Sequence, residues 1–374
     1  MTKTNLFSAD FLEDMDVTSD FYRGDSFIPQ GVGGYDENWY PVCLADEILD
    51  GEIHGFAFLD GRVIVYRPAH NQPIRVMSAF CRHLGVDLSV GRLVGDRVQC
   101  AYHHWQYDQD GKCVATAVGD DAPDRAKLFA FPTEERFGIV WAYNGETPAY
   151  EVPHFQGFEE DELTVSALRS VEMPTDPFVL YSNSMDIQHL ISVHGIRYTQ
   201  QPDEFQKDGR TISYWQEQVI PGLGETRQDV RLWGTNCITL QSKIGARPTL
   251  MMSAGLAVAG PVTRTFNVTA TPRDTSKAGE DLMIEQHIKM VEQFGLQLNR
   301  EDDPVLRSIS IRIDNLTEAD YALKVYFEHV RNYPRSTAAT DSIRNDYKRR
   351  ATLPGPEPEV LTDIVFDPAE TGHK

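Results

Sequence analysis

The reading of this chain turns on residues 81–104, Cys81-Arg82-His83-Leu-Gly-Val-Asp-Leu-Ser-Val-Gly-Arg-Leu-Val-Gly-Asp-Arg-Val-Gln-Cys100-Ala-Tyr-His103-His104. Two short boxes, Cys81-x-His83 and Cys100-x-x-His103, stand sixteen residues apart, and each offers one sulfur and one nitrogen. With 11 histidines in 374 residues, a chosen offset from a cysteine holds one roughly 3% of the time, so chance is a poor account of both boxes. Two thiolates and two imidazoles suit a [2Fe–2S] cluster in which histidines replace cysteines on one iron. The competing assignment is a structural zinc site. The hydrophobic strand residues around both boxes, and the His103-His104-Trp105 run, favour the cluster. Gly85 and Gly91 are expected to permit the turns that wrap it.

Outward from these boxes the chain reads as mixed. At 374 residues it has room for two domains. Hydrophobic residues make up 41% and charged residues 24%, as in ordinary globular proteins. A net charge of −21 argues against nucleic-acid binding. No apolar run reaches the length of a membrane span, and the start MTKTNLFSADFLEDMD lacks the features of a signal peptide. A cytoplasmic location is the expectation. Cys43, Cys113 and Cys237 read as buried small hydrophobes rather than disulfide partners.

Short strands dominate up to about residue 143, including a hairpin through Phe56–Leu59 and Val63–Tyr66 with an Asp60-Gly61 turn. Strands return at Thr164–Met173, Ile212–Val219, Cys237–Ser242 and Thr265–Thr271. Helices are expected at about Phe178–Val193, Gly279–Leu298 and Glu318–Asn332, with short ones at Ala9–Met15 and toward Arg350. The division is an N-terminal arm at 1–35, an all-β domain at 36–148, an α+β domain at 149–350 and a proline-rich tail at 351–374.

The second chemically loaded stretch is Asn183-Ser-Met-Asp186-Ile-Gln-His189-Leu-Ile-Ser-Val-His194. Two imidazoles and one carboxylate on one face of Fe(II) leave positions open for oxygen and substrate. His189 and His194 would stand about 140° apart on a regular helix, so the helix must distort or end between them to bring both to one metal. Asp186 lies about 60° from His189, where a carboxylate can accept the N–H of a ligand imidazole and fix its ring.

These motifs together resemble the Rieske non-haem iron oxygenases. The match runs through Cys81-x-His83-Leu84-Gly85, Gly91-Arg92, Gln99-Cys100-x-x-His103-His104-Trp105 and Tyr107-Asp108, then Asn183, Asp186, His189 and His194. The phrasing is similar to the branch with aminopyrrolnitrin oxygenase and 3-ketosteroid 9α-hydroxylase. The resemblance implies an N-terminal all-β Rieske [2Fe–2S] domain followed by a helix-grip catalytic domain, an antiparallel sheet curved around a long helix. It implies Cys81, His83, Cys100 and His103 as cluster ligands, with Trp105 packed over the cluster and His104 structural. Val86 and Tyr102 stand where high-potential Rieske proteins carry extra cysteines, which implies a low-potential cluster.

The resemblance also implies a mononuclear Fe(II) held by His189, His194 and a late carboxylate that begins a helix. Counting along Arg300-Glu-Asp302-Asp303-Pro304 selects Asp302, with Asp303 the alternative and capping of a helix begun by Pro304 the plain reading. Asp186 would bridge His189 to His83 or His103 of a neighbouring copy in a homotrimer, and Asn183 would face the same cavity. The activity implied is terminal oxygenation: O2 and electrons from NAD(P)H, delivered by a ferredoxin or flavin reductase, are used to hydroxylate or demethylate an apolar, aromatic or polycyclic small molecule. A cis-dihydroxylating dioxygenase and a non-catalytic electron-transfer protein are the alternatives. Leu232, Trp233, Leu250, Met251, Met252, Leu256 and Phe294 are candidate pocket residues, and Arg82, Arg97 and Lys112 a candidate docking patch for an acidic ferredoxin.

Overall fold

The computed structural model describes residues 30–31, 34–69, 72–245, 247–258, 262–273, 279–309 and 311–344, with two short strand pieces at 22–23 and 26–27. The expected helix at Ala9–Met15, residues 345–350 and the tail at 351–374 lie outside the described residues; of the helix expected toward Arg350, the described part is a short one at Thr340–Ile343.

The N-terminal half is built from three small antiparallel sheets. One, formed by 92–94, 97–99, 106–107 and 113–115, carries the second Cys/His box between its strands 97–99 and 106–107, while the first box follows the strand 75–78 of another sheet. A second contains the expected hairpin, Ile53–Phe58 paired with Gly61–Tyr66. Its turn is not the Asp-Gly pair. Phe58 pairs with Gly61, and Leu59 and Asp60 hold the positive φ angles of 49° and 59°. Tertiary contacts override the local preference: the Leu59 and Asp60 amides donate to the carbonyls of Ala257 and Val258, and the Leu59 side chain is fully buried.

The C-terminal half is one large antiparallel sheet. Its strands are β1 (Leu163–Met173), β2 (Arg197–Gln200), β3 (Gln206–Asp208), β4 (Thr211–Ile220), β5 (Gly224–Trp233), β6 (Cys237–Ile244), β7 (Arg247–Ala257) and β8 (Thr263–Pro272). Their order is β1-β8-β7-β6-β5-β4-β2, with β3 also on β4. Alternation decides what each face meets. Leu250, Met252, Ala254, Phe266 and Val268 join Trp39, Val63, Val65 and Trp141 in the principal core. Ile212, Tyr214, Val230 and Leu232 point to the other face, toward helices.

Those helices are α1 (Pro177–Ser182), α2 (Ile187–Ser192), α3 (Glu280–Leu306) and α4 (Tyr321–Arg331). The single helix expected at 178–193 is two, separated by a 3-10 turn at Asn183–Met185. The long helix runs eight residues past the expected Leu298 and continues through Pro304, so no new helix begins at that proline. A proline one turn from a helix end forfeits only one ladder bond.

A buried polar network holds the start of α1. The Asp176 carboxylate caps the helix at the Phe178 amide, 3.4 Å away, and accepts the Gln30 amide at 2.7 Å. Gln30 in turn accepts the Asp36 amide, and Asp36 pairs with Arg335 at 3.0 Å. Burial raises the Asp176 carboxyl to about 7. Because the folded value exceeds the unfolded one, the fold binds the extra proton, and this group's contribution to stability falls as pH rises from about 4 to 7. Asp176→Asn removes the titration, though its amide nitrogen cannot accept as the second carboxylate oxygen does; its stability relative to the wild type is expected to rise by roughly 2–4 kcal/mol from pH 4 to pH 8, measured by denaturant unfolding at each pH.

Candidate metal centres

The first box is set by a tight turn in which Gly85 N–H bonds to the Cys81 carbonyl, and the second by the His104 N–H on the Cys100 carbonyl. Gly85 has φ +76, as a turn requires. Gly91 does not: its φ is −84, and its need is space, since an added Cβ would meet the Gln99 carbonyl at 2.3 Å. His104 itself takes a positive φ of 53° and its ring is exposed, so it turns the chain. Trp105 lies parallel to the His83 ring, with centroids 4.5 Å apart.

Cys81 and Cys100 are buried, while His83 is exposed and His103 half-buried. The Nδ1 atoms of the two imidazoles face one another at 3.1 Å. Two donors sharing one ion through bonds of about 2.1 Å lie about 3–3.5 Å apart. Burial pushes the Cys81 thiol up to about 11, although the Tyr107 hydroxyl 3.2 Å from its sulfur works the other way. A thiol so placed ionises when a cation binds it. Among the described residues, no three of these four donors gather within 4.8 Å of one another, as one tetrahedral zinc would demand. A pair of thiols beside a separate pair of imidazoles fits a two-iron cluster.

The second centre is made by the break in the helix. Asp186 leaves the helical region (φ −90°, ψ 88°), and its carboxylate caps α2 at the His189 amide, 2.9 Å away. α2 then ends at Ser192, and Gly195 at φ +66 turns the chain toward β2. The end of the helix between the two histidines resolves the 140° separation. The last turns of α3 supply the carboxylate. Asp302 Oδ1 lies 2.8 Å from His189 Nε2 and 3.0 Å from His194 Nε2. Bonds of about 2.1 Å at right angles separate neighbouring donors by about 3 Å, so the spacing fits a facial metal site. Among the described residues this is the group of three whose donors lie within 4.8 Å of one another. Burial opposes charge on Asp302, but the two imidazoles outweigh it and hold the carboxyl at about 2.

Asp303 points elsewhere: it is paired with Arg307 at 2.7 Å on the exposed side of α3. Asn183 is half-buried in the 3-10 turn, its carbonyl accepting the Asp186 amide. Within the described residues Asp186 serves the His189 backbone, and the His189 Nδ1 is buried without a partner. Sequence reasoning missed Glu301. Its Oε2 lies 2.7 Å from His194 Nδ1, so it fixes the ring whose other nitrogen faces Asp302. Its place beside Asp302 was visible, but the role depends on a 107-residue separation closing in space.

Comparisons with known proteins follow this geometry. Residues 38–127 match the family model of the Rieske [2Fe-2S] domain, so the N-terminal half of the chain carries a Rieske domain. Over about four fifths of its length the chain shares its fold with solved oxygenase structures. It superposes on dicamba monooxygenase bound to dicamba with a TM-score of 0.61 at 19% identity, covering 79% of this chain and 96% of that one. For NdmB of Pseudomonas putida the TM-score is 0.60 at 20% identity, covering 83% and 95%.

In sequence, the chain is 29% identical over 161 residues to the oxygenase component of 3-ketosteroid-9-alpha-monooxygenase from Rhodococcus rhodochrous, covering 42% of this chain and 41% of that protein. It is 30% identical over 169 residues to aminopyrrolnitrin oxygenase PrnD from Pseudomonas fluorescens, covering 42% and 46%. The aligned segments therefore span less than half the length of these relatives.

Glu301→Ala frees the His194 ring and is expected to weaken Fe(II) binding by about 10–100-fold. Asp303→Ala is expected to leave it unchanged. Anaerobic Fe(II) titration of both variants measures the difference.

Proposed function

We propose that the protein is the terminal oxygenase component of a multicomponent Rieske system, and that it oxygenates or demethylates a small molecule with a largely apolar body. The observation that carries this reading is the His189–His194–Asp302 trio, standing in the same chain as a Rieske domain. When bound, the cluster transfers single electrons and the iron activates O2.

The chain's own residues do the rest. Cys81 and Cys100 hold one side of the cluster and His83 and His103 the other. His189, His194 and Asp302 would hold the iron, a donor set that suits O2 activation. Glu301 orients His194, and Asp186 holds the helix start that aims His189. Asn183 stands in the turn that precedes them.

A homotrimer in which Asp186 joins His189 to a Rieske histidine of a second copy completes the proposal. The exposed His83, flanked by Leu84 and Tyr102 at 65% and 63% exposure, supports docking at the cluster tip. The buried, unpartnered His189 Nδ1 supports an outside contribution to the iron site. Electrons are proposed to come from a ferredoxin or NAD(P)H-dependent flavin reductase. Arg82, Arg97 and Lys112 are exposed near the boxes and suit an acidic donor. A cytoplasmic location supplies the NAD(P)H, and among the described residues no helix is long and apolar enough to cross a membrane.

Iron and acid-labile sulfide analysis tests the core of the proposal. About three irons and two sulfides per chain are expected, with a Rieske EPR signal on reduction. Asp302→Ala should keep the signal and lose the third iron. A wild type that holds only two irons after anaerobic Fe(II) loading would refute the oxygenase reading. Stopped-flow reduction by an acidic ferredoxin should slow as salt rises from low to about 0.5 M, and a salt-independent rate would remove the basic patch from the docking site.

A further inference from the structure

The floor beside the iron trio is polar. The helix-facing side of β4 and β5 carries Gln216, Gln218 and Gln228, which are only 4%, 2% and 8% exposed. Gln216 and Gln228 stand opposite one another in the ladder. Two contacts place them under the histidines. The Tyr214 hydroxyl donates to the Ser184 carbonyl at 2.9 Å, and a Cβ on Gly195 would touch Pro221 at 3.6 Å. The segment 184–195, with His189 and His194, therefore runs over 214–221, and Gln216 and Gln218 lie between those two contacts.

Their hydrogen bonds are made to one another. Gln216 Nε2 donates to Gln228 Oε1 at 2.9 Å and to Gln218 Oε1 at 3.3 Å, and Gln218 Nε2 donates to Gln228 Oε1 at 3.2 Å. Three amides offer six N–H groups and six lone pairs. These bonds use neither the Gln216 Oε1 nor the Gln228 Nε2. Neither atom is among the buried polar atoms left without a partner, and an apolar trio would fill the same space without a polar group to satisfy.

The strands beside them are less tightly covered on the helix side than on the core side. On the core side of the middle strands Leu250, Met252, Phe266 and Val268 are 0–2% exposed. On the helix side Leu240, Ser242, Met251, Ser253 and Asn267 are half-buried, although α3 covers the same face through His287 on Thr249 and Glu292 on Ser166. The helix side of these strands is therefore covered more loosely than the core side. Leu240 and Met251 give that side an apolar wall, and Ser242, paired across from Gln228, extends the polar row.

We infer that Gln216, Gln218 and Gln228 are specificity-determining residues that receive a carbonyl or carboxamide group of the substrate. The inference rests on the oxygenase reading and narrows it. The substrate is an apolar skeleton bearing a hydrogen-bonding handle, and a plain hydrocarbon is excluded. The free Gln228 N–H groups donate to the substrate carbonyl, and the Gln216 Oε1 accepts an amide N–H. Leucine at these positions would leave that group unpaired, the situation by which sites built on hydrogen bonds reject analogues.

The test uses iron-loaded, cluster-containing protein and matched probe pairs: benzamide against ethylbenzene, N-methylacetanilide against butylbenzene, and cyclohexanone against methylcyclohexane. Dissociation constants come from calorimetry and melting temperatures from thermal unfolding. In the wild type at least one amide or ketone is expected to bind about tenfold or more tighter than its hydrocarbon partner. Gln216→Leu and Gln228→Leu should abolish that preference without lowering the melting temperature. A panel with no such preference, or a preference that survives in both variants, overturns the inference. So does a fall in melting temperature with the preference intact, which marks a purely structural cluster. Iron is counted on the same samples. A missing third iron refutes the oxygenase reading itself, whereas a full complement without the preference refutes only the glutamine assignment.

Discussion

One constraint organises the C-terminal half: a carboxylate from the far end of a 27-residue helix must meet two imidazoles, one within a six-residue helix and one just beyond its end. At 1.5 Å per residue the long helix spans about 40 Å. Its start is therefore fixed far from the site, through Glu280 on Arg247 and His287 on Thr249 at the beginning of β7. Its end then delivers Glu301 and Asp302 together. Consecutive helical residues point about 100° apart, so one carboxylate reaches the front nitrogens of both rings while its neighbour reaches the back of His194.

The short helix needs equal discipline, because a six-residue helix has little stability of its own. It is held by its cap at Asp186, by the 3-10 turn that precedes it, and by α1. That helix is anchored through Asp176, Gln30, Asp36 and Arg335, with the Tyr326 hydroxyl donating to the Phe178 carbonyl at 2.9 Å. This chain of buried polar contacts links the N-terminal arm, the sheet and α4 to the segment that carries the histidines. Its cost is visible in Asp176, whose carboxyl burial raises into the neutral range.

Much of the site was legible because ligand chemistry imposes residue types at short spacings. Cys81, His83, Cys100 and His103 lie in two boxes, and Asp186, His189 and His194 in one run. The demand that a helix end between His189 and His194 followed from 3.6 residues per turn, and α2 does end at Ser192. The pocket was not legible. Of the apolar residues proposed to line it, Trp233, Leu250, Met252 and Leu256 face the principal core, and Leu232 lies beneath α4. In a sheet covered on both faces, hydrophobicity alone does not say which side is cavity. Alternation within each strand does, once register is known.

The sequence by itself pointed to the chemistry: which atoms could bind metal, that they fall in two groups, and that an all-β region precedes a mixed one. Local spacing and residue type suffice for that. Only the tertiary structure decided the partners that meet across long separations. It chose Asp302 over Asp303, turned α3 through Pro304 so that Glu301 reaches His194, and put Leu59 and Asp60 at the hairpin turn. It also gathered three glutamines from two strands into one hydrogen-bonded cluster. Each of these depends on the direction a side chain takes once strands are in register and helices are packed, and no short window of sequence carries that information.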